Sequence, residues 1–119
     1  MTTITDPALL KVYTDEDASC GDERVADMIV QKARARGLAG ATVLRGLTGY
    51  GQGSRIHAHH LFGISDNPPL VIEIVDAEER LRAFMAELAD LRGIGLVTLE
   101  RVEVLSQPGH RPTREQDRP

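Results

Sequence analysis

The spacing of apolar residues along the chain predicts four strands and two helices. The run at 9–13 is short, apolar and stopped by the acidic cluster at 15–17, which is typical of a strand. The acids of that cluster could bind a hard cation, but we interpret them as a solvated strand end. Val25, Met28, Ile29 and Ala33 recur at three-four spacing and predict a helix that starts at 19–22 and ends near Gly37. The other predicted elements are strands at 41–48, 70–75 and 96–105, and a helix that opens at Glu78 and carries Leu81, Phe84, Met85, Leu88 and Leu91 on one stripe.

The last predicted strand is irregular, because its apolar positions change phase after Leu99. Val102 and Val104 fall on the face opposite that of Val97 and Leu99. Either a bulge or a break into two shorter strands explains such a change.

The two halves of the chain resemble each other, which suggests how the elements are arranged. A shift of 56 positions sets residues 22–25 over 78–81 and Gly37 over Gly93. Two similar strand-helix-strand units with right-handed crossovers give an α+β, ferredoxin-like βαββαβ sandwich: a four-stranded antiparallel sheet with two helices on one face. The other sheet face carries Val71 and Val75, so we expect a partner subunit to cover it.

Composition narrows the class of protein. The chain has 119 residues, a net charge of -4 and 3% aromatic residues, which argues against binding of nucleic acid. No apolar run approaches the ~20 residues that span a bilayer, and no leader segment is visible, so we expect a cytoplasmic protein without direct membrane insertion. Residues 1–105 form one predicted domain, and the polar tail 106–119 is predicted to be disordered.

Two clusters could carry chemistry. Gly46, Gly49, Gly51 and Gly53 follow the second predicted strand and could hold an anion with their backbone amides, although a twisted strand end explains them as well. The histidines of the next segment could bind a metal or could simply be solvated; they are His57, His59 and His60. No nucleophile or paired carboxylate stands at a recognisable spacing, so we do not expect an enzyme.

Several of these segments together resemble a known family. Gly37-x-x-Gly40-x-Thr42-Val43, followed by 49–52, is similar to the second-strand region of PII nitrogen-regulatory signalling proteins. Strand 71–75 and the turn 93–95 also have counterparts there. The stretch from Leu9 to Leu105 is closer still to a PII-like family catalogued as a domain of unknown function, and its shared phrases lie at 39–46, 49–51, 56–57 and 71–76.

The resemblance implies a signalling role. It implies a homotrimer whose sheets face the centre and whose intersubunit cleft binds a small molecule, commonly an adenine nucleotide, as an effector and not as an obligatory cofactor. The loop 54–69 would then engage a target such as a membrane transporter. The ligand-binding residues implied by the resemblance are Gly49, Tyr50, Gly51, Gln52, Gly93 and Gly95.

One departure from the PII pattern bears on the ligand. Leu96 stands where PII proteins carry a phosphate-gripping Lys, which favours a mono- or dinucleotide over a triphosphate. Arg45, Arg55, Arg92 and Arg101 are the candidates to supply the missing charge. The alternative function is a metal-binding trimer resembling the divalent-cation tolerance proteins, which would use the loop histidines.

Overall fold

The computed structural model describes residues 3–51 and 67–108. The main sheet has four strands in the order β4-β5-β1-β6, and every neighbouring pair is antiparallel. This is the predicted ferredoxin-like order. The elements are β1 (Pro7–Asp15), β2 (Ser19–Cys20), β3 (Glu23–Arg24), α1 (Val25–Ala35), β4 (Thr42–Arg45), β5 (Pro69–Ala77), α2 (Glu78–Glu87) and β6 (Val97–Arg101).

Both helices pack on one face of the sheet and form the core with it. Every second residue of the two central strands is buried, because successive side chains of a strand point to opposite faces. The helices contribute an apolar stripe each, as their spacing predicts. The core side chains are Ala8, Leu10, Val12, Leu70, Ile72 and Ile74 from the strands, and Val25, Ala26, Ile29, Ala33, Leu81, Phe84 and Leu88 from the helices and the end of α2.

The other face of the sheet, here called the open face, has no layer over it within the described residues. Its side chains on the central strands are only half-buried. In register, Leu9 lies opposite Val75, Lys11 opposite Glu73 and Tyr13 opposite Val71. The prediction of an uncovered sheet face that carries Val71 and Val75 is therefore confirmed for this chain.

The start of the first helix differs from the prediction. Residues 19–22 do not begin it. Ser19–Cys20 and Glu23–Arg24 instead pair as a small hairpin around Gly21, and α1 begins at Val25 without a side-chain cap. Residues such as Ser and Asp favour turns as strongly as helix starts, which is why the pattern was ambiguous.

Two edge strands are shorter than predicted. The second large strand covers 42–45 and not 41–48, and the last strand ends at Arg101 and does not reach 105. Neither explanation for the phase change after Leu99 is correct, because the strand simply ends at Arg101 and residues 102–108 form no second strand. The backbone of Val102 still donates a hydrogen bond to the Pro7 carbonyl, 3.2 Å away.

A buried carboxylate joins the two helix ends. Asp76 is 3% exposed and accepts hydrogen bonds from the backbone nitrogens of Ala39, at 2.9 Å, and Ala77, at 2.7 Å. Arg80 donates to the same carboxylate at 3.1 and 3.2 Å and to the Arg36 carbonyl at 2.9 Å. This network holds the exit of α1 against the entry of α2.

No helix among residues 3–51 and 67–108 is long and apolar enough to cross a membrane. The predicted disordered tail falls mostly beyond the described residues, which end at 108.

Candidate functional site

The two predicted glycine segments lie at the same end of the sheet. Strands β1 and β4 end there, and β5 and β6 begin there, as follows from the antiparallel order of the four strands. The first segment, 46–51, leaves β4. The second, 93–95, leads into β6.

The first segment begins in contact with β5. The Gly46 nitrogen donates to the Pro69 carbonyl at 2.8 Å, which extends the β4–β5 ladder by one bond. A Cβ at Gly46 would lie 2.8 Å from Pro69 Cγ, so this approach requires a glycine. After this contact the chain is open to solvent: Gly49 and Gly51 are exposed and Tyr50 is 76% exposed.

The second segment is held firmly by the end of β1. The Thr14 hydroxyl donates to the Gly93 carbonyl at 2.6 Å, and the Gly95 nitrogen donates to the Tyr13 carbonyl at 2.7 Å. Gly93 has a φ of +86°, and a Cβ on it would lie 2.7 Å from the Ala18 Cβ. Gly93 therefore has a structural role in holding this turn against the end of β1.

A single chain does not bring the two segments together. The first leaves β4 at one edge of the sheet, and the second enters β6 at the other edge, with β5 and β1 between them. Neighbouring strands lie about 4.8 Å apart, so three spacings separate the segments by roughly 14 Å. Gln52, the remaining predicted ligand residue, lies outside the described residues.

The arginines proposed to supply charge are distributed over both ends of the sheet. Arg45 precedes the first glycine segment and Arg92 precedes the second, whereas Arg101 lies at the far end, where it pairs with Glu78 at 3.1 Å. Hydrogen bonds from Arg82 and Arg101 hold the pKa of the Glu78 carboxyl below its usual range. Arg55 lies outside the described residues.

The acidic cluster contains a structural ion pair that its sequence did not reveal. Glu16 contacts Arg45 Nη2 at 2.8 Å and Arg24 Nη1 at 3.4 Å, and 20% of its side chain is exposed. The N–H groups of Arg45 do not point at the Glu16 Oε1 atom, so this contact is an ion pair and not a hydrogen bond. The buried Oε1 atom of Glu16 therefore accepts no hydrogen bond. Glu16 is therefore not simply solvated at the strand end, and Arg45 forms an ion pair with its carboxylate. Arg92 is exposed and forms no ion pair with another described residue.

The alternative prediction is a metal site at the loop histidines. His57, His59 and His60 lie outside the described residues. Within residues 3–51 and 67–108, no group of three or more His, Cys, Asp or Glu side chains is arranged to hold a metal ion.

A cavity of about 670 Å³ lies at the opposite end of the sheet from the glycine segments. It is lined by the residues before β1 and after β6, among them Ile4, Val102 and Leu105. None of the predicted ligand residues that the structure describes lines it. Although it is large, this cavity is therefore not the site that the glycine motifs indicate.

Comparison with known proteins identifies the family. The model of the DUF190 family, described as "Uncharacterized ACR, COG1993", matches residues 7–104. A UPF0166 protein of Aquifex aeolicus is 40% identical over 97 residues, which cover 82% of this chain and 91% of the relative. A second UPF0166 protein of the same organism is 30% identical over 96 residues, covering 81% and 94%. The UPF0166 protein MJ1524 of Methanocaldococcus jannaschii is 30% identical over 92 residues, covering 76% and 84%. The family model matches both strand-helix-strand halves, and the relatives are matched over most of their length. The chain therefore belongs to the DUF190 family.

Proposed function

We propose that this protein is a PII-like signalling protein: a homotrimer that senses a small molecule, an adenine nucleotide, in the cleft between neighbouring subunits. Residues 49–52 of one copy and the 93–95 turn of the next would form the walls of the cleft. The loop 54–69 would pass the signal to a target such as a membrane transporter. The protein would act in the cytoplasm and would not be an enzyme.

The observation that carries the proposal is the position of the two glycine segments. They lie at one end of the sheet but at opposite edges, roughly 14 Å apart. When copies of the chain form a ring, the β4 edge of one copy can meet the β6 edge of the next. Such an arrangement joins in one cleft the two segments that a single chain keeps apart.

The distribution of exposed apolar side chains supports the same arrangement. Large exposed apolar residues concentrate on the edge strands and directly beside them, where a neighbouring copy would shield them. They are Val43, Leu44, Leu47 and Tyr50 on the β4 side and Leu96 and Leu105 on the β6 side. With the open face, these edges provide the apolar surface that association would remove from water at ~25 cal/mol per Å².

The charges near the glycine segments support a ligand with few phosphates. Arg92 is exposed beside the second segment, whereas Arg45 beside the first is already engaged by Glu16. Leu96, 66% exposed, offers an apolar surface where PII proteins carry a lysine. A mono- or dinucleotide, with an apolar base to bury and less charge to neutralise, fits this set better than a triphosphate.

The mass of the protein in solution tests the proposed assembly. We expect light scattering at micromolar concentration to report about three times the 13.0 kDa chain mass, because the apolar edges and the open face stabilise association. A mass of 13.0 kDa across the micromolar range would contradict the trimer and, with it, a cleft formed between copies.

A further inference from the structure

The open face carries two charges on its two central strands, with apolar side chains on either side of them. Lys11 on β1 lies directly opposite Glu73 on β5, and Thr42 and Thr98 extend this polar row to both sheet edges. On one side of the row lie Leu9 and Val75, and Glu100 on the edge strand β6 lies opposite Leu9. On its other side lie Leu44, Val71 and Tyr13.

These two charges do not satisfy each other. Side chains directly opposite in an antiparallel pair have Cβ atoms about 5 Å apart, close enough for Lys and Glu to form an ion pair. Nevertheless, neither Lys11 nor Glu73 has a nitrogen–oxygen contact within 4.0 Å of an opposite charge in the described part of the chain. Both side chains are half-buried and lie on the open face.

We infer that Lys11 of one copy pairs with Glu73 of the neighbouring copy and that these ion pairs set the register of self-assembly. The inference rests on the proposed trimer and specifies how its sheets meet. On the two central strands, this face has one positive and one negative group with apolar side chains on both sides, a pattern that complements a copy of itself. Glu100 stands apart from this pair, exposed on the edge strand β6. An anionic membrane would leave Glu73 unpaired, and a uniformly apolar ligand would leave both charges unpaired. Either would cost free energy.

The physical role of such a pair is orientation more than affinity. Ion pairs that become buried gain little net free energy, since the cost of removing both charges from water offsets their attraction. Misaligned copies, however, would bring like charges together or leave charges unpaired between apolar rows. The polar row therefore favours one alignment of the apolar side chains that flank it on the central strands.

Charge reversal tests the inference on the full-length chain. We expect Lys11→Glu and Glu73→Lys, each alone, to raise the dissociation concentration of the assembly about tenfold or more, because each places like charges in contact. The double variant Lys11→Glu/Glu73→Lys should restore the wild-type mass. Arg34→Glu on α1 and Glu79→Lys on α2 are matched controls, since they make the same kinds of charge change on the exposed helix layer. Both should leave the mass unchanged.

Coexpression separates pairing between copies from pairing within a chain. Wild type and the double variant, carrying different tags, should form separate assemblies by native mass spectrometry. In a mixed interface, Lys11 of a wild-type copy would meet the lysine introduced at position 73 of the variant, and wild-type Glu73 would meet the glutamate introduced at position 11. Like charges would therefore face each other at both contacts.

Two outcomes would overturn the inference while leaving the trimer intact. One is a statistical mixture of both chains in each assembly, and the other is single charge reversals that assemble as wild type does. A wild-type chain that is monomeric would overturn the trimer itself. Circular dichroism of each variant shows whether a lost assembly is due to a lost fold.

Discussion

Replacing Gly93 by Ala is expected to lower the free energy of unfolding by about 3 kcal/mol, which combines backbone strain with overpacking. The φ of +86° at this position costs any L side chain energy, and the new Cβ would lie 2.7 Å from the Ala18 Cβ. Urea denaturation followed by circular dichroism measures the change. The substitution should also displace the 93–95 turn, since the Gly93 carbonyl accepts a hydrogen bond from the Thr14 hydroxyl.

Two other glycines separate the two causes. Gly21 has a φ of +67° but open space around its Cβ position, so Gly21→Ala should cost only the strain, about 1 kcal/mol. Gly40 has open space and no positive φ, so Gly40→Ala should leave the stability nearly unchanged. Equal effects at the three positions would show that the contact between Gly93 and Ala18 does not limit this turn.

Replacing Asp76 by Ala is expected to lower the free energy of unfolding by about 3 kcal/mol, because the backbone N–H groups of Ala39 and Ala77 lose the buried carboxylate that accepts their hydrogen bonds. Arg80 also loses its partner, but it is half exposed and can be solvated. Thermal or urea unfolding at neutral pH measures the effect.

The matched control for this change is Asp90→Ala, which removes an exposed carboxylate just after α2. It should change the stability by less than about 0.5 kcal/mol. Arg80→Met should cost less than Asp76→Ala, because both backbone donors keep their acceptor. If Asp76→Ala proved as mild as the control, the junction of the two helix ends would not depend on this carboxylate.

The order of the sheet could be predicted from the sequence, because local patterns determine it. Alternation in β1 and β5 and the three-four stripes of α1 and α2 identify each element without knowledge of its neighbours. The similarity of the two halves then leaves few arrangements of four strands and two helices. The residues at which strands end were harder to predict than the strands themselves. The end of β4 at Arg45 depends on where its partner strand β5 begins, at Pro69, and this pairing joins residues far apart in the sequence.

The candidate site could be predicted only in part, for the same reason. Its glycine segments are visible as motifs, but the contacts that hold them, of Gly46 with Pro69 and of Gly93 with Thr14, join residues far apart in the sequence. The engagement of Arg45 by Glu16 was missed, because an acidic cluster at a strand end usually points into water. That Lys11 lies opposite Glu73 follows from the register of β1 against β5, which no local pattern determines.

Titration calorimetry of the full-length protein with AMP, ADP and ATP tests the central claim, a nucleotide-sensing cleft, most directly. We predict saturable binding with one nucleotide per chain, and tighter binding of AMP or ADP than of ATP because no lysine follows Gly95. The absence of binding heat with all three nucleotides at millimolar concentration would contradict the claim.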